Sequence, residues 1–274
     1  MSEVATVLVD GEPSSTVSAL DRGFCYGDGL FETIRIAEGR APLWHRHMHR
    51  LTEGCTRLAM APPDIDALAA DVGRVTAHRD AAVVRITLSR GPGRRGYAID
   101  PSSTGTRVVA VADMPAILRR LVDDGLLVRE CRTRYAIQPA LAGIKHLNRL
   151  EQVLARSEWD DPTVDEGLMR DMEGRMVSAT AANLFVVHAG RVSTPALDRC
   201  GVAGVARAEV LAVTGASTVD LTPAELAGAD EVFLTSSVRG ILPVRAFGES
   251  AWQPGPVVRQ MQAHWRALGF VGRE

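Results

Sequence analysis

Lysine is almost missing from this chain. Of the 31 lysine and arginine residues in 274, only Lys145 is a lysine. Apolar runs long enough to span a bilayer are also missing. The start, Met1-Ser-Glu-Val-Ala5, lacks the basic segment of a secretion signal. A cytoplasmic location and no membrane contact are therefore expected. Cysteine is scarce, with only Cys25, Cys55, Cys131 and Cys200, and no CxxC pair occurs. That spacing signals neither a zinc site nor a disulfide framework, and points to free thiols in a reducing compartment. Charge of one sign is missing too: the net charge is -2 and the pI about 6.4. Arginines dispersed among nearly equal acids exclude a polyanion partner such as nucleic acid. No internal repeat or low-complexity tract is present.

What is there centres on the one lysine. Arginine stays protonated, whereas lysine can lose its proton and act as a nucleophilic amine. A lysine kept where arginine serves everywhere else suggests amine chemistry such as a Schiff base. The alternative is a chance surface lysine. Lys145 stands in Leu141-Ala-Gly-Ile-Lys-His-Leu-Asn-Arg-Leu-Glu-Gln152, at the mouth of a helix running to about residue 159. Leu150, Val153 and Leu154 give that helix an apolar stripe. Element boundaries are where scaffolds often present reactive groups.

The length allows one large or two modest domains. We expect an α/β (α+β) chain with a smaller N-terminal domain over 1–117, a linker over 118–134 and a larger domain over 135–274. Strands are read at 4–9, 30–37, 82–90, 106–112, 126–128, 166–171, 183–187 and 231–235, and helices at 45–60, 65–75, from about 205, and at the C-terminus. Residues 21–29 read as a glycine-rich loop. In the strand after it, Leu30, Ile34 and Ile36 share a face with Glu32, while Phe31, Thr33 and Arg35 share the other. That second face lines a site or meets solvent.

Three patterns invite chemistry. His45, His47 and His49 lack a carboxylate at HExxH spacing, so partly exposed histidines are expected rather than a metal site. Gly91-Pro-Gly-Arg-Arg-Gly96 matches GxGxxG after a strand, but no helix follows to receive a pyrophosphate. An arginine-bearing loop for a carboxylate fits better, beside the plainer reading of a solvated hairpin. A glycine-containing loop, 194–204, opens the helix at Val205, where free backbone N–H groups make an anion site. Ser236 and Ser237 end a strand and either complete a phosphate cradle or cap a turn. A unique lysine, an anion-binding helix start and a Ser-Ser pair together suggest a phosphorylated aldehyde cofactor, pyridoxal phosphate.

The segments resemble the fold-type IV pyridoxal-phosphate enzymes, which include D-amino-acid and branched-chain aminotransferases and aminodeoxychorismate lyases. The matching pieces are Tyr26-Gly-Asp-Gly-Leu-Phe-Glu-Thr33, His47-Met-His-Arg-Leu51, Lys145-His-Leu-Asn148, Asn183-Leu-Phe185, Gly201-Val-Ala-Gly-Val205 and Thr235 to Pro243. They run in family order over nearly the whole chain. Arg94-Arg-Gly-Tyr97 and Gly143 to Gln152 look most like the lyase branch, which makes 4-aminobenzoate and pyruvate in folate synthesis. The resemblance implies a D-amino-acid aminotransferase-like fold of two domains with pyridoxal 5'-phosphate between them, as a homodimer. It implies that Lys145 is the Schiff-base lysine and proton shuttle and that Arg50 holds the cofactor phosphate. The N–H groups of Val205 and Ala206, with Ser237 and Ser236, would complete the phosphate cradle. Phe31, Arg95 and Tyr97 would line the substrate pocket, with Arg35 and Arg94 as rivals to Arg95 for a substrate carboxylate. Other members would make the chain an aminotransferase, and a non-catalytic cofactor-binding protein is the third reading.

One position departs from the family. Five residues before the Asn of Asn-Leu-Phe the family carries a glutamate against the cofactor's pyridine nitrogen; here stands Ser178. A hydroxyl can hydrogen-bond but cannot hold that nitrogen protonated as a carboxylate does. An elimination pulled by aromatisation of its product needs that electron sink less than transamination does.

Overall fold

The alternating pattern of the first third of the chain demands a sheet with one face covered by helices. The computed structural model, which describes residues 7–270, has that arrangement. The chain divides into two compact units, Met1–Pro115 with Ile144–Asn148, and Ala116–Gly143 with Arg149–Glu274.

The first unit contains β1 (Val7–Val9), β2 (Glu12–Pro13), α1 (Arg22–Tyr26), β3 (Gly29–Ala37), α2 (Trp44–Arg57), α3 (Ile65–Val75), β4 (Ala81–Ser89) and β5 (Thr106–Ala112). Its antiparallel sheet has the order β2-β1-β5-β4-β3. Leu30, Ile34 and Ile36 of β3, Val84, Ile86 and Leu88 of β4, and Val109 and Val111 of β5 form one apolar face. Met48, Leu51 and Cys55 of α2 and Leu68, Val72 and Val75 of α3 close over it. Helix α2 approaches closely because residue 54 is glycine: a Cβ there would sit 2.9 Å from Leu30 Cδ1. The stretch read as a loop over 21–29 holds α1 instead, started by Asp21, whose Oδ1 accepts the Gly23 N–H at 2.7 Å. Of the strand expected at 4–9, residues 4–6 lie outside the described residues.

The second unit contains α4 (Arg119–Asp123), β6 (Leu126–Glu130), α5 (Leu150–Arg156), β7 (Glu166–Arg170), β8 (Met176–Ala179), β9 (Asn183–His188), β10 (Arg191–Pro195), α6 (Val205–Thr214), β11 (Ser217–Val219), α7 (Pro223–Ala227), β12 (Glu231–Ser236), β13 (Gly240–Phe247), β14 (Ser250–Ala251) and α8 (Pro256–Ala267). Its strands run β11-β10-β9-β12-β13-β6-β7-β8. A further β8–β9 pairing, Ser178 opposite Asn183, closes six of them into a ring. Residues 118–134, expected as a linker, carry α4 and β6 inside this unit. Leu126 and Val128 are buried in its core, a place no solvated connector could take.

Two helices present other faces than their spacing suggests. In α6 the buried residues are Val205, Ala206, Arg207, Glu209 and Val210, and Ala212 is exposed. The Arg207 guanidinium turns inward because Thr194 Oγ1 and Pro195 O accept from it, at 3.3 and 3.0 Å. In α5, which ends at Arg156 rather than near 159, the apolar stripe faces outward. Leu150, Val153 and Leu154 are 75, 59 and 58% exposed. Among the described residues no helix is long and apolar enough to cross a membrane.

Candidate active site

Lys145 belongs to the first unit although its neighbours on both sides in sequence belong to the second. The reason is backbone pairing. Strand β3 is an edge strand, and its outer groups need partners. The Phe31 N–H donates to Lys145 O at 3.0 Å, the Leu147 N–H donates to Gly29 O at 3.0 Å, and Leu30 bridges His146. Just before this segment, Gly143 is tied to the loop that precedes α6. Its N–H donates to Gly201 O and its carbonyl accepts from the Ala203 N–H, both at 3.0 Å. The lysine is thus fixed by its backbone while its side chain extends over Phe31, with Nζ 4.2 Å from the ring centroid. Phe31 and Arg35 share the sheet face opposite the helices, and both are buried.

On the helix side of the same strand, Glu32 is buried among leucines and isoleucines. Its partners come from α2. Arg50 Nε donates to Oε1 at 2.8 Å, Arg50 Nη2 donates to Oε2, and His47 Nδ1 lies 2.5 Å from Oε2. Burial alone would raise the Glu32 pKa. The Arg50 charge and the hydrogen bonds from His47 and Arg50 outweigh it and hold the group at about 2. Burial lowers the His47 pKa against the pull of Glu32, so the ring stays neutral at pH 7. His47, expected to be partly exposed, is therefore a buried partner of Glu32. A guanidinium carries five N–H donors in a planar fork, which suits Arg50 to anions.

In the second unit the closure of the ring of strands sets the geometry. Ser178 on β8 faces Asn183 on β9, which pairs in turn with Thr235 on β12. Asn183 also sets the start of α6: its Oδ1 accepts the Gly204 N–H at 3.1 Å and its Nδ2 donates to Val202 O at 2.9 Å. Only glycine permits that approach, since a Cβ on residue 204 would lie 2.1 Å from Asn183 Oδ1. With no side chain capping α6, the N–H groups of Val205 and Ala206 head the helix dipole. The Ser236 Oγ accepts the Arg239 N–H at 3.0 Å, so it caps its turn and still has a proton to donate. Arg239 itself is held by Glu166 at 2.5 Å. Thr235 Oγ1 is buried without a hydrogen-bond partner. A bare helix start, adjoining hydroxyls and one orphaned buried hydroxyl fit a phosphate-bearing ligand.

Ser178 Oγ lies 2.9 Å from the Tyr135 hydroxyl, and both residues are buried. Burial pushes the Tyr135 pKa up, so the phenol keeps its proton. The position is therefore neutral. Arg95 and Tyr97 stand on an exposed loop, where Tyr97 packs against Tyr26 with ring centroids 5.5 Å apart. The loop is braced from beneath by the buried Arg22, which donates to Gly96 O at 2.9 Å and to Asp28 at 2.9 Å. Among the described residues no group of three histidines, cysteines or acids is placed to hold a metal. The sequence reading missed Glu32, Tyr135, Thr235 and the role of Asn183. Glu32 alone carried a signal, a carboxylate on an otherwise apolar strand face.

Replacing Glu32 with Gln is expected to destabilise the fold by about 3–5 kcal/mol at neutral pH, because Arg50 loses its buried counter-charge. Glu32 titrates at about 2 when folded, below its ordinary 4.5. Its stabilisation is thus full above pH 4.5 and is lost as pH falls towards 2. Denaturant unfolding of both proteins across that range should show the gap constant above 4.5 and closing below it.

The model of the family described as amino-transferase class IV matches residues 29–247. The aminodeoxychorismate lyase of Vibrio harveyi is 36% identical over 243 residues, 86% of this chain and 89% of that protein. A putative branched-chain-amino-acid aminotransferase of Methanocaldococcus jannaschii is 30% identical over 245 residues, 85% of this chain and 83% of that one. Among solved structures, the 4-amino-4-deoxychorismate lyase of Pseudomonas aeruginosa superposes with a TM-score of 0.91 at 45% identity, covering 95% of this chain and 98% of that one. The glycine-headed helix, the serine turn and the lysine paired to β3 thus lie in a chain that belongs to the class IV aminotransferase family.

Proposed function

We propose that this protein is a pyridoxal-phosphate-dependent 4-amino-4-deoxychorismate lyase, releasing pyruvate and 4-aminobenzoate for folate synthesis. The observation that carries the reading is the fixed position of the one lysine, with its amine over Phe31. The likeness to lyases of two other bacteria supports the substrate.

The cofactor is pyridoxal 5'-phosphate. The Val205 and Ala206 N–H groups with Ser236 and Ser237 would hold its phosphate, and Ser178 would meet its ring nitrogen; Arg50 is assigned to the phosphate by the resemblance to the family. Bound there, it supplies an aldehyde for amines and an electron sink for the carbon bearing the amine. Lys145 would be the residue that holds this aldehyde, and its amine would be freed when a substrate amine binds. The freed Lys145 amine then removes the proton from the amine-bearing ring carbon. The bond from the neighbouring carbon to the enolpyruvyl oxygen breaks, the departing oxygen takes up a proton, and the ring becomes aromatic. Phe31 gives that ring an apolar surface, and Arg35, Arg95 and Tyr97 are the polar lining we assign to the pocket.

Ser178 favours this elimination over transamination. With Tyr135 protonated beside it, the pair offers hydrogen bonds and no negative charge to a ring nitrogen. We also place the protein in the cytoplasm, where its free cysteines would stay reduced; finding it in another fraction of the cell would refute this. We infer a homodimer from the outward apolar stripe of α5, a surface that monomers rarely leave open. Sedimentation velocity at micromolar concentration should give twice the chain mass, and a monomer would overturn the inference.

Purified protein loaded with cofactor should release pyruvate and 4-aminobenzoate in equal amounts from aminodeoxychorismate. Lys145→Arg should lower that rate by about 10²–10⁴-fold or more while preserving charge. A fully active variant would refute the assignment. Ser178→Glu should raise amino-group transfer to a keto acid on the order of tenfold, ~1.4 kcal/mol of barrier. An unchanged transfer rate would remove Ser178 from the account of specificity.

A further inference from the structure

One cation of the first unit has no part in the account above. Arg85 lies on β4 opposite Thr33, and so on the same sheet face as Phe31 and Arg35. It is open to solvent, and its guanidinium carbon sits 4.1 Å from the centroid of the Phe31 ring. The Lys145 Nζ sits 4.2 Å from the same centroid. Two cations therefore share one aromatic ring, and they can be no further apart than those two distances laid end to end. Among the described residues no carboxylate acts on Arg85; its charge is met by the ring alone. Such a contact holds an exposed guanidinium loosely and leaves its N–H fork available. Arg35, two positions along β3 from Thr33, is more deeply buried.

We propose that Arg85 binds the ring carboxylate of the substrate and is a specificity-determining residue of the site. This rests on the lyase reading for the identity of the ring. That substrate is a six-membered ring with an amine on one carbon and a carboxylate on the carbon opposite. With the amine at Lys145, the carboxylate across the ring is directed to the second cation at Phe31, which is Arg85. A planar guanidinium grips a carboxylate by two parallel hydrogen bonds, which fixes the orientation of the ring as well as its charge. The same grip would align the carbon–hydrogen bond that Lys145 must attack. An α-amino acid carries its carboxylate beside its amine and not across a ring from it. The residue thus selects an amino-aryl-carboxylate shape over a common amino acid.

The test uses cofactor-loaded protein and two small ligands. 4-Aminobenzoate has the ring, the amine and the opposite carboxylate; aniline lacks the carboxylate. Their inhibition of turnover, and their binding by calorimetry, are measured for the wild type, Arg85→Ala and Arg85→Lys. The wild type should prefer 4-aminobenzoate. Arg85→Ala should lose that preference by about 10- to 100-fold, the worth of a charged hydrogen-bonded pair. Its affinity for aniline should not change, and Arg85→Lys should fall between. For the substrate, the loss should appear chiefly in KM. Arg85→Ala that keeps the full preference, or that weakens both ligands equally, would overturn the proposal. So would a wild type with no preference. Should the wild type bind both ligands yet fail to split aminodeoxychorismate, the lyase reading falls, while the ligand preference still decides the role of Arg85.

Discussion

The first unit depends on a carboxylate buried where an aliphatic side chain would be expected. Glu32 sits between Leu30 and Ile34 on the helix-covered face of β3. Such burial is costly for a charge unless it is fully paired. The pairing comes from His47 and Arg50, three residues apart and therefore neighbours on one face of α2. One charge thus fixes two things: the rotation of α2 over the sheet and the placement of the Arg50 guanidinium. Across the thickness of the same strand, one residue earlier, Phe31 meets Lys145. The strand's alternation separates the device that holds the arginine from the surface that presents the amine.

In the second unit a similar economy centres on Asn183. Its backbone closes the ring of strands against Ser178 and joins β12 at Thr235. Its side chain accepts from Gly204 and so defines where α6 begins. Closure of the ring of strands and the start of α6 are therefore joined through one residue. The glycine at 204 and the serine at 178 are each explained by what lies beside Asn183. The glycine leaves room for the amide oxygen, and the serine places a neutral hydroxyl, backed by Tyr135, where a charged side chain would alter the electrostatics of the whole end of the sheet.

Much of this was legible in the order of residues. The period-two alternation of residues 30–37 and 82–90 became β3 and β4, paired residue for residue. The glycine-containing loop before Val205 became a bare helix start. The solitary lysine among arginines became the residue held beside β3 with its amine over Phe31. What could not be read were facts of partnership. Leu150, Val153 and Leu154 have the spacing of a buried stripe yet face outward, because helical periodicity tells which residues share a face and not what that face meets. Residues 118–134 looked like a linker since charged turns surround a short apolar run, and only packing against β7 and β13 makes that run a core strand.

The sequence by itself determined most local elements and the family and singled out one amine, since each follows from side-chain chemistry and short-range spacing. Tertiary structure decided which charges neutralise one another. Glu32 found Arg50, Ser178 found Tyr135, and Arg85 found the ring that Lys145 also touches. Hydrogen bonds and ion pairs act over a few ångströms of space, and residues 43 positions apart in sequence, as Tyr135 and Ser178 are, become neighbours only when strands register.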